Sequence, residues 1–285
     1  MSDLTVGKYR VLVRLVDGRS TSHYLAEDTT LRRRVALKVA RHESETGDGS
    51  QPFQREAWRS ASLNHPNIAT VFDVGTDGEW DYIASEWIEG GTLQQRLKKG
   101  PLEVVKALNV AIGVARALVA YHEAWIVHRD VKPENIKLRS ERGLDTLDFG
   151  VAALANGGED IDPLKRPRGI AGSLHYLSPE QVRGEPIIDT RSDTYSLGVV
   201  LYEMLSGRAP FNGRATLDLL AAVVESDPEP LPASIPLSLR SIIDHALKKD
   251  IYERYQTAEE LLQDLLELRL SIEFEERAKR SHQIN

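Results

Sequence analysis

The sequence predicts an α+β protein with two lobes, a small antiparallel β lobe that contains one helix and a larger lobe that is mainly α-helical. Two observations support this division. Runs rich in β-branched and aliphatic residues, separated by short turns, fill the first third of the chain. After the Gly90-Gly91 pair, apolar residues recur at helical spacing. We therefore expect a first lobe over about residues 1–86, a hinge over 86–90 and a second lobe over 91–270.

Composition and charge exclude several classes of protein. The chain has 285 residues, which is ample for a sizeable core. Its 36 Lys and Arg against 43 Asp and Glu give a formal net charge of −7, which argues against a general nucleic-acid-binding protein. The absence of cysteine excludes disulfides, thiolate zinc sites and cysteine nucleophiles. A reducing, cytoplasmic location is therefore expected.

The chain is expected to contain no membrane-spanning segment. Its N-terminus lacks the apolar core of a signal peptide. The most apolar long stretch, residues 107–120, is short for a span and carries Asn109 and Arg116. This stretch is therefore predicted to be a buried helix.

The first lobe is predicted to contain five strands and one helix. Pro52 suits the first position of a helix, and Phe53, Ala57 and Ala61 follow at helical spacing. The polar residues 42–51 before it read as a loop. The predicted strands, bounded by turn residues such as Asp77-Gly78, cover residues 9–16, 22–26, 34–40, 69–74 and 80–87.

The second lobe is predicted to contain five main helices, each from apolar residues spaced three and four apart. They cover residues 101–122, 194–206, 217–225, 237–248 and 258–270. The remaining residues 271–285 are charged, and two alternatives stay open for them: a frayed helix at the end of the domain, or a charged tail that starts a linker.

One strand carries a lysine with apolar neighbours. Alternation along residues 34–40 places Ala36 and Lys38 on one face and Val35, Leu37 and Val39 on the other. Lys38 can therefore reach into a cleft and meet a phosphate group. A lysine on a strand is more often a surface charge, so this residue alone does not decide the function.

A polar stretch from His128 to Asn135 follows the apolar residues 125–127. The carboxylate of Asp130, the ammonium group of Lys132 and the amide of Asn135 lie within six positions. This combination suits phosphoryl transfer, which requires positioning and charge neutralisation more than covalent help. A solvated loop is the alternative. Asp148-Phe149-Gly150 and Ser178-Pro179-Glu180 are two further motifs, and neither identifies a function by itself.

In this order and spacing, the four motifs resemble the signature set of the eukaryotic-type protein kinases. The resemblance covers about Tyr9 to Leu270, and segments such as His65-Pro66-Asn67-Ile68 are similar to the bacterial serine/threonine branch. It implies the bilobal protein kinase fold. It also implies a serine/threonine kinase that transfers the γ-phosphoryl group of MgATP to hydroxyl groups of a protein substrate.

The resemblance implies a catalytic or binding role for each matching residue. Asp130 would orient the substrate hydroxyl and accept its proton, and Lys132 would neutralise the transferring phosphoryl group. Asn135 and Asp148 would bind Mg²⁺ through hard oxygen ligands. Lys38 would hold the α- and β-phosphates of ATP. The other residues assigned to the ATP site are Glu56 as the ion-pair partner of Lys38, the hinge residues Glu86 and Ile88, and Val16, Gly18, His23 and Ala36.

Three residues are expected to have supporting roles by the same resemblance. Glu180 would pair with Arg254, which is a structural contact. Asp193 would brace the backbone of the catalytic loop, the segment from His128 to Asn135 that carries Asp130. His128 is expected to pack internally and to take no part in the chemistry.

The phosphate-binding loop departs from the family pattern. Val16, Gly18, Thr21 and His23 stand where the family has three glycines and a valine, so one glycine remains. Glycine lets a backbone approach phosphates closely, whereas β-branched Val16 and Thr21 are stiff. This departure keeps open a pseudokinase, a binding or scaffolding module with weak or no ATP turnover.

Two other departures from the family pattern concern a residue that contacts the adenine base and the control of activity. Lys137 stands where an apolar residue commonly supports adenine, although its methylene stem can do the same while the ammonium group reaches water. The segment from Phe149 to Gly172 contains no Ser, Thr or Tyr. Control is therefore expected from a regulatory protein partner or from a part of the chain outside this segment, because the segment offers no hydroxyl for phosphorylation.

Overall fold

The computed structural model describes residues 4–17, 21–41, 61, 63–139, 150–154 and 171–283. Its first lobe is built on one antiparallel sheet with the strand order β1-β2-β3-β4-β6-β5. All five predicted strands are confirmed, and a short strand precedes them. The strands are β1 (Thr5–Val6), β2 (Tyr9–Asp17), β3 (Thr21–Asp28), β4 (Arg33–Arg41), β5 (Val71–Asp77) and β6 (Trp80–Glu86). The predicted loop over residues 42–51 and nearly all of the helix expected from Pro52 lie outside the described residues.

The alternation predicted for β4 is confirmed. Val35, Leu37 and Val39 are buried, and Ala36 and Lys38 are half-buried on the opposite face. The buried face packs with residues of the neighbouring strands into a small core that includes Val6, Tyr9, Ala26 and Ala84. Because successive side chains of a strand alternate between faces, burial of the three apolar residues directs Lys38 to the other side of the sheet.

The second lobe is mainly helical, as predicted. Its helices are α1 (Leu93–Leu97), α2 (Val104–Glu123), α3 (Pro179–Arg183), α4 (Arg191–Ser206), α5 (Thr216–Glu225), α6 (Leu237–Ala246) and α7 (Ala258–Gln283). Short 3₁₀ helices cover Ala171–Tyr176 and Ile251–Glu253. A two-stranded antiparallel ribbon of β7 (Ile136–Arg139) and β8 (Gly150–Leu154), which the sequence reading did not predict, completes the lobe.

The core of this lobe lies around α2 and α4. Nearly all of α4 is buried. Helix α6 packs closely against it at Gly198, because a Cβ atom added there would lie only 2.7 Å from the Cβ atom of Ala246 in α6. Within the described ranges, α2 is the one helix long and apolar enough to cross a membrane, but most of it is buried inside the protein. The prediction of a buried helix over residues 107–120 is therefore confirmed.

The last helix runs past its predicted end at Leu270. Leu261, Leu265 and Leu268 face the core, and most of the residues beyond Ile272 are exposed. Arg269 contributes to the extension by pairing with Glu273 at 2.6 Å along the same helix. Residues 271–283 are thus helical, which agrees with the first of the two alternatives left open by the sequence.

An ion pair links the hinge to the second lobe, and a backbone hydrogen bond joins β7 to the residue that follows the hinge. The backbone N–H of Leu138 in β7 donates to the carbonyl of Gly91 at 3.0 Å. Arg139, at the end of β7, pairs with Glu86 at the end of β6, with an N–O distance of 2.7 Å. Gly90 has a φ of 134°, which glycine adopts far more readily than other residues. The cleft between the lobes is therefore closed at its back by the hinge segment.

Candidate active site

The catalytic loop lies between α2 and β7, and a buried carboxylate supports its backbone. Asp193, in the first turn of α4, is fully buried. It accepts hydrogen bonds from the backbone N–H groups of His128 at 2.8 Å and Arg129 at 2.7 Å. A buried carboxylate that accepts several hydrogen bonds is held in one place. The predicted bracing role of Asp193 and the predicted burial of His128 are both confirmed.

The backbone of this loop adopts a conformation that needs such support. Arg129 has a φ of 64°, in the left-handed region that non-glycine residues rarely occupy. Its carbonyl accepts a hydrogen bond from the side chain of Gln181 at 3.0 Å. His122 lies 2.8 Å from Asp193 through Nε2. The sequence analysis did not identify Gln181 as a supporting residue. For His122, the sequence indicates only that it lies at helical spacing from the apolar residues of α2 that face the core.

Asp130, Lys132 and Asn135, which lie within six positions of the chain, are in contact with one another. Lys132 Nζ lies 2.8 Å from Asp130 Oδ1 and 2.7 Å from Oδ2. Asn135 Nδ2 donates to Asp130 Oδ2 at 2.8 Å and to its backbone carbonyl at 2.9 Å. The carboxylate is thus oriented from two sides, yet its side chain remains 21% exposed and can be reached by a substrate.

The same geometry leaves one atom of Asn135 suited to a metal ion. Its amide nitrogen donates hydrogen bonds to Asp130, so the amide oxygen is the atom left to bind a metal ion. Hard divalent cations prefer oxygen ligands. Across the described ranges, no group of three or more His, Asp or Glu side chains could hold a metal ion. Asp148, the predicted second ligand, lies outside the described residues.

His23, on β3, has a lowered pKa. Burial, followed by the positive charges of Lys38, Lys137 and Lys132, lowers the pKa of His23 from 6.5 to about 4. These charges belong to β4, β7 and the catalytic loop. The imidazole is therefore neutral near pH 7.

The structure describes the hinge residues that were assigned to ATP binding. Glu86 donates its backbone N–H to the carbonyl of Thr70 at 2.8 Å, and its carboxylate accepts from Arg139. Ile88 is buried. Ala36 lies opposite Ser85 in the β4–β6 pair, beside the start of the hinge. The side chains here are partly apolar, as Ala36 and Ile88 show, which suits a flat aromatic base.

The structure describes only some of the other residues that were assigned to the ATP site. The backbone of Val16 pairs with His23, which places it at the end of β2. Gly18 and Glu56 lie outside the described residues. Their roles in ATP binding stay predictions.

The predicted contact between Glu180 and Arg254 is confirmed. The two side chains form a bidentate ion pair with N–O distances of 2.9 and 2.8 Å, in the interior of the second lobe. Ser192 of α4 also donates to Glu180. The pair thus ties α3 and α4 to the segment before α7.

Comparisons with known proteins agree with this geometry. The chain matches the family model described as a protein kinase domain over residues 9–266. It is 36% identical over 264 residues to the serine/threonine-protein kinase PrkC of Bacillus subtilis. This alignment covers 91% of the present chain and 40% of PrkC. It is 38% identical over 259 residues to the serine/threonine-protein kinase PknB of Mycobacterium tuberculosis, covering 87% of this chain and 41% of PknB.

These matches cover nearly the whole chain, although the chain spans only about two fifths of the length of these relatives. The matched region contains the two lobes, the hinge and the braced loop with Asp130. The chain therefore belongs to the protein kinase domain family, in its bacterial serine/threonine branch.

Proposed function

We propose that this domain is an active serine/threonine protein kinase that transfers the γ-phosphoryl group of MgATP to a hydroxyl group of a protein substrate. One observation carries the proposal. Asp130 is held by Lys132 and Asn135 on a loop whose backbone is braced by Asp193. Such an arrangement holds a carboxylate at a fixed place in an open cleft.

The chemistry follows from the charges around Asp130. Its carboxylate would orient the substrate hydroxyl and accept the proton as the hydroxyl oxygen attacks phosphorus. Lys132, which contacts the same carboxylate, would offset the negative charge of the transferring phosphoryl group. Lys38 on β4 faces the cleft from the other lobe and would hold the phosphates of ATP. Mg²⁺, held by Asn135 and Asp148, would neutralise phosphate charge.

The base of ATP would lie against the hinge. Glu86 and Ile88 would present the hinge backbone to its edge, and Ala36 and the neutral imidazole of His23 would cover one face. A neutral ring can stack on a purine without the desolvation cost of a charged one.

The experiment that tests the proposal measures transfer of radiolabelled phosphate from ATP and Mg²⁺ to a generic basic protein. We expect incorporation with the natural sequence and little or none with Asp148→Asn, since that change weakens the assigned metal site. Equal incorporation by the two proteins would contradict the assigned chemistry.

A pseudokinase is the second candidate, and the phosphate-binding loop favours it. Val16 and Thr21, which replace glycines of the family pattern, lie within strands β2 and β3. β-branched residues favour extended backbone and restrict side-chain rotation, so these positions are stiffer than glycines would be. No incorporation with either protein in the transfer assay would support this second candidate.

Restoring glycines is expected to strengthen ATP binding. We expect Val16→Gly combined with Thr21→Gly to lower the KM for ATP, because the backbone could then approach the phosphates more closely. Steady-state kinetics with varied ATP provide the measurement. An unchanged or higher KM would show that the loop closes on ATP through other contacts.

The partners and location of this kinase also belong to the proposal. The absence of Ser, Thr and Tyr between Phe149 and Gly172 supports control by a regulatory protein partner. The absence of cysteine and the need for ATP support a cytoplasmic location.

A further inference from the structure

We propose that the outer face of α7 is a self-association surface, through which two copies of this chain pair as antiparallel helices about a twofold axis. The partner is therefore a second copy of the same chain. The inference goes beyond the proposed function and does not depend on it, because the face belongs to the last helix of the second lobe and contains none of the residues assigned to ATP or to catalysis.

Helix α7 has one buried face and one exposed face. Ala258, Leu261, Leu265 and Leu268 are buried in the core of the second lobe. A helix turns by about 100° per residue, which places another set of residues on the side away from this core. We call this set the outer seam. All its members are exposed, and they are Gln263, Glu267, Leu270, Phe274, Arg277 and Ser281.

The outer seam has the spacing of a coiled-coil seam. Its residues follow one another at intervals of four, three, four, three and four, and this alternation keeps one face of a helix directed at a partner helix. The middle of the seam is apolar, since Leu270 is 53% exposed and Phe274 is 67% exposed, one turn apart on the same helix. Covering these two side chains with a second helix would remove apolar area from water.

The seam is complementary to itself when the second copy runs in the opposite direction. With the axis midway between Leu270 and Phe274, Leu270 of each copy lies opposite Phe274 of the other. In the same register, Glu267 of each copy lies opposite Arg277 of the other. Because a twofold axis repeats every contact, the apolar centre is flanked on both sides by a pair of opposite charges.

Charge also excludes the parallel arrangement. In a parallel pair each seam residue lies opposite its own copy, so Glu267 would face Glu267 and Arg277 would face Arg277. Like charges placed opposite each other disfavour an arrangement, as they do in coiled coils that select one orientation. The interface is formed by a single pair of helices and is small, so we expect a weak dimer whose population rises with protein concentration.

The first experiment is sedimentation equilibrium of the 285-residue chain at low ionic strength, with protein concentrations that reach the millimolar range. We expect a monomer–dimer equilibrium. Leu270→Gln combined with Phe274→Gln should raise the dissociation constant at least tenfold, because the apolar centre is lost. Both side chains are exposed, and glutamine is a good helix former, so circular dichroism and thermal unfolding should match those of the natural sequence.

Charge reversal tests which residues face each other. Glu267→Arg and Arg277→Glu should each raise the dissociation constant at least tenfold, because each places like charges opposite one another. The two changes combined in one chain should restore dimerisation, and a mixture of the two single variants should form a heterodimer. Glu276→Arg and Lys279→Glu make the same changes in charge on the other side of the helix, and they should leave the dissociation constant unchanged.

Disulfide formation tests the orientation. The natural chain has no cysteine, so Gln263→Cys and Ser281→Cys each carry a single thiol. In the antiparallel pair, position 263 of one copy lies opposite position 281 of the other, whereas two copies of position 263 are about 27 Å apart along the helix. Mild oxidation of an equal mixture should therefore give mainly the mixed disulfide, as intact mass measurement would show.

Three results would overturn the inference. A chain that stays monomeric at every concentration has no such surface. A dimer that the Leu270 and Phe274 changes and the charge reversals do not weaken uses another surface. Disulfides that join two copies of the same variant in preference to the mixed pair reject the antiparallel register.

Discussion

Replacing Asp130 by Asn is expected to lower the rate of phosphoryl transfer on the order of 100-fold or more, which is a typical loss for a key transition-state group. The carboxylate receives hydrogen bonds from Lys132 and Asn135, and an amide of the same shape cannot accept the substrate proton. Lys38→Met should cause a comparable loss by removing the phosphate contact. Initial rates with saturating ATP and a generic protein substrate measure both effects.

The thermal unfolding of Asp130→Asn should change little, because the side chain is partly exposed and keeps its size. Asp244→Asn is the matched control, since Asp244 is exposed on α6. Its activity should equal that of the natural sequence. A loss of only a few fold in both Asp130→Asn and Lys38→Met would show that the assigned site is wrong.

Replacing Arg254 by Met is expected to lower the free energy of unfolding by about 3–5 kcal/mol, the usual effect of removing one partner of a buried ion pair. The guanidinium is fully buried, and it donates to both oxygens of Glu180 and to the backbone carbonyls of Lys248 and Lys249. The variant leaves the Glu180 charge without its partner. Urea denaturation at pH 7 measures the loss.

The pH dependence of this loss identifies its cause. Burial by itself would raise the pKa of Glu180, but the hydrogen bonds and charge of Arg254 outweigh burial and hold that pKa below 4.5. The pair therefore stabilises the fold at neutral pH, and its contribution is lost as the pH falls through the lowered pKa. In Arg254→Met the pKa of Glu180 should rise. The difference in the free energy of unfolding between the natural sequence and Arg254→Met should therefore become smaller as the pH falls.

Two further variants control the Arg254 experiment. Glu180→Gln combined with Arg254→Met should be less destabilised than Arg254→Met alone, because no buried charge remains. Arg41→Met removes the exposed pair between Arg41 and Glu79 and should cost less than about 1 kcal/mol. A loss in Arg254→Met that stays constant from pH 7 to pH 4 would contradict the charge explanation and indicate lost packing.

The sequence by itself determined the regular elements whose patterns are local. The alternation in β4 and the helical spacing in α2 and α4 predicted both the elements and their buried faces, because each face contributes apolar area to a core. The motif from His128 to Asn135 also places the three polar groups of the candidate site within six positions. Asp130, Lys132 and Asn135 are close in the chain, so a single turn of loop brings them together.

Other elements could not be read from local patterns. The strands of the β7–β8 ribbon have four and five residues, which is too short for a clear period. The part of α7 beyond Leu270 has few buried residues, so its sequence resembles that of a solvated tail. Its helical state is supported by local ion pairing such as Arg269 with Glu273, which composition alone does not distinguish from a charged linker.

Only the tertiary structure decided what supports the catalytic loop and what surrounds the cleft. Asp193 is 65 residues from His128, and Gln181 is 52 residues from Arg129, yet both hold the loop backbone. Lys38, Lys132 and Lys137 come from separate segments and act on one imidazole. Contacts of this kind arise from the packing of distant elements. A linear pattern shows which face of a helix or strand is buried, but it does not show which side chain of another element lies opposite.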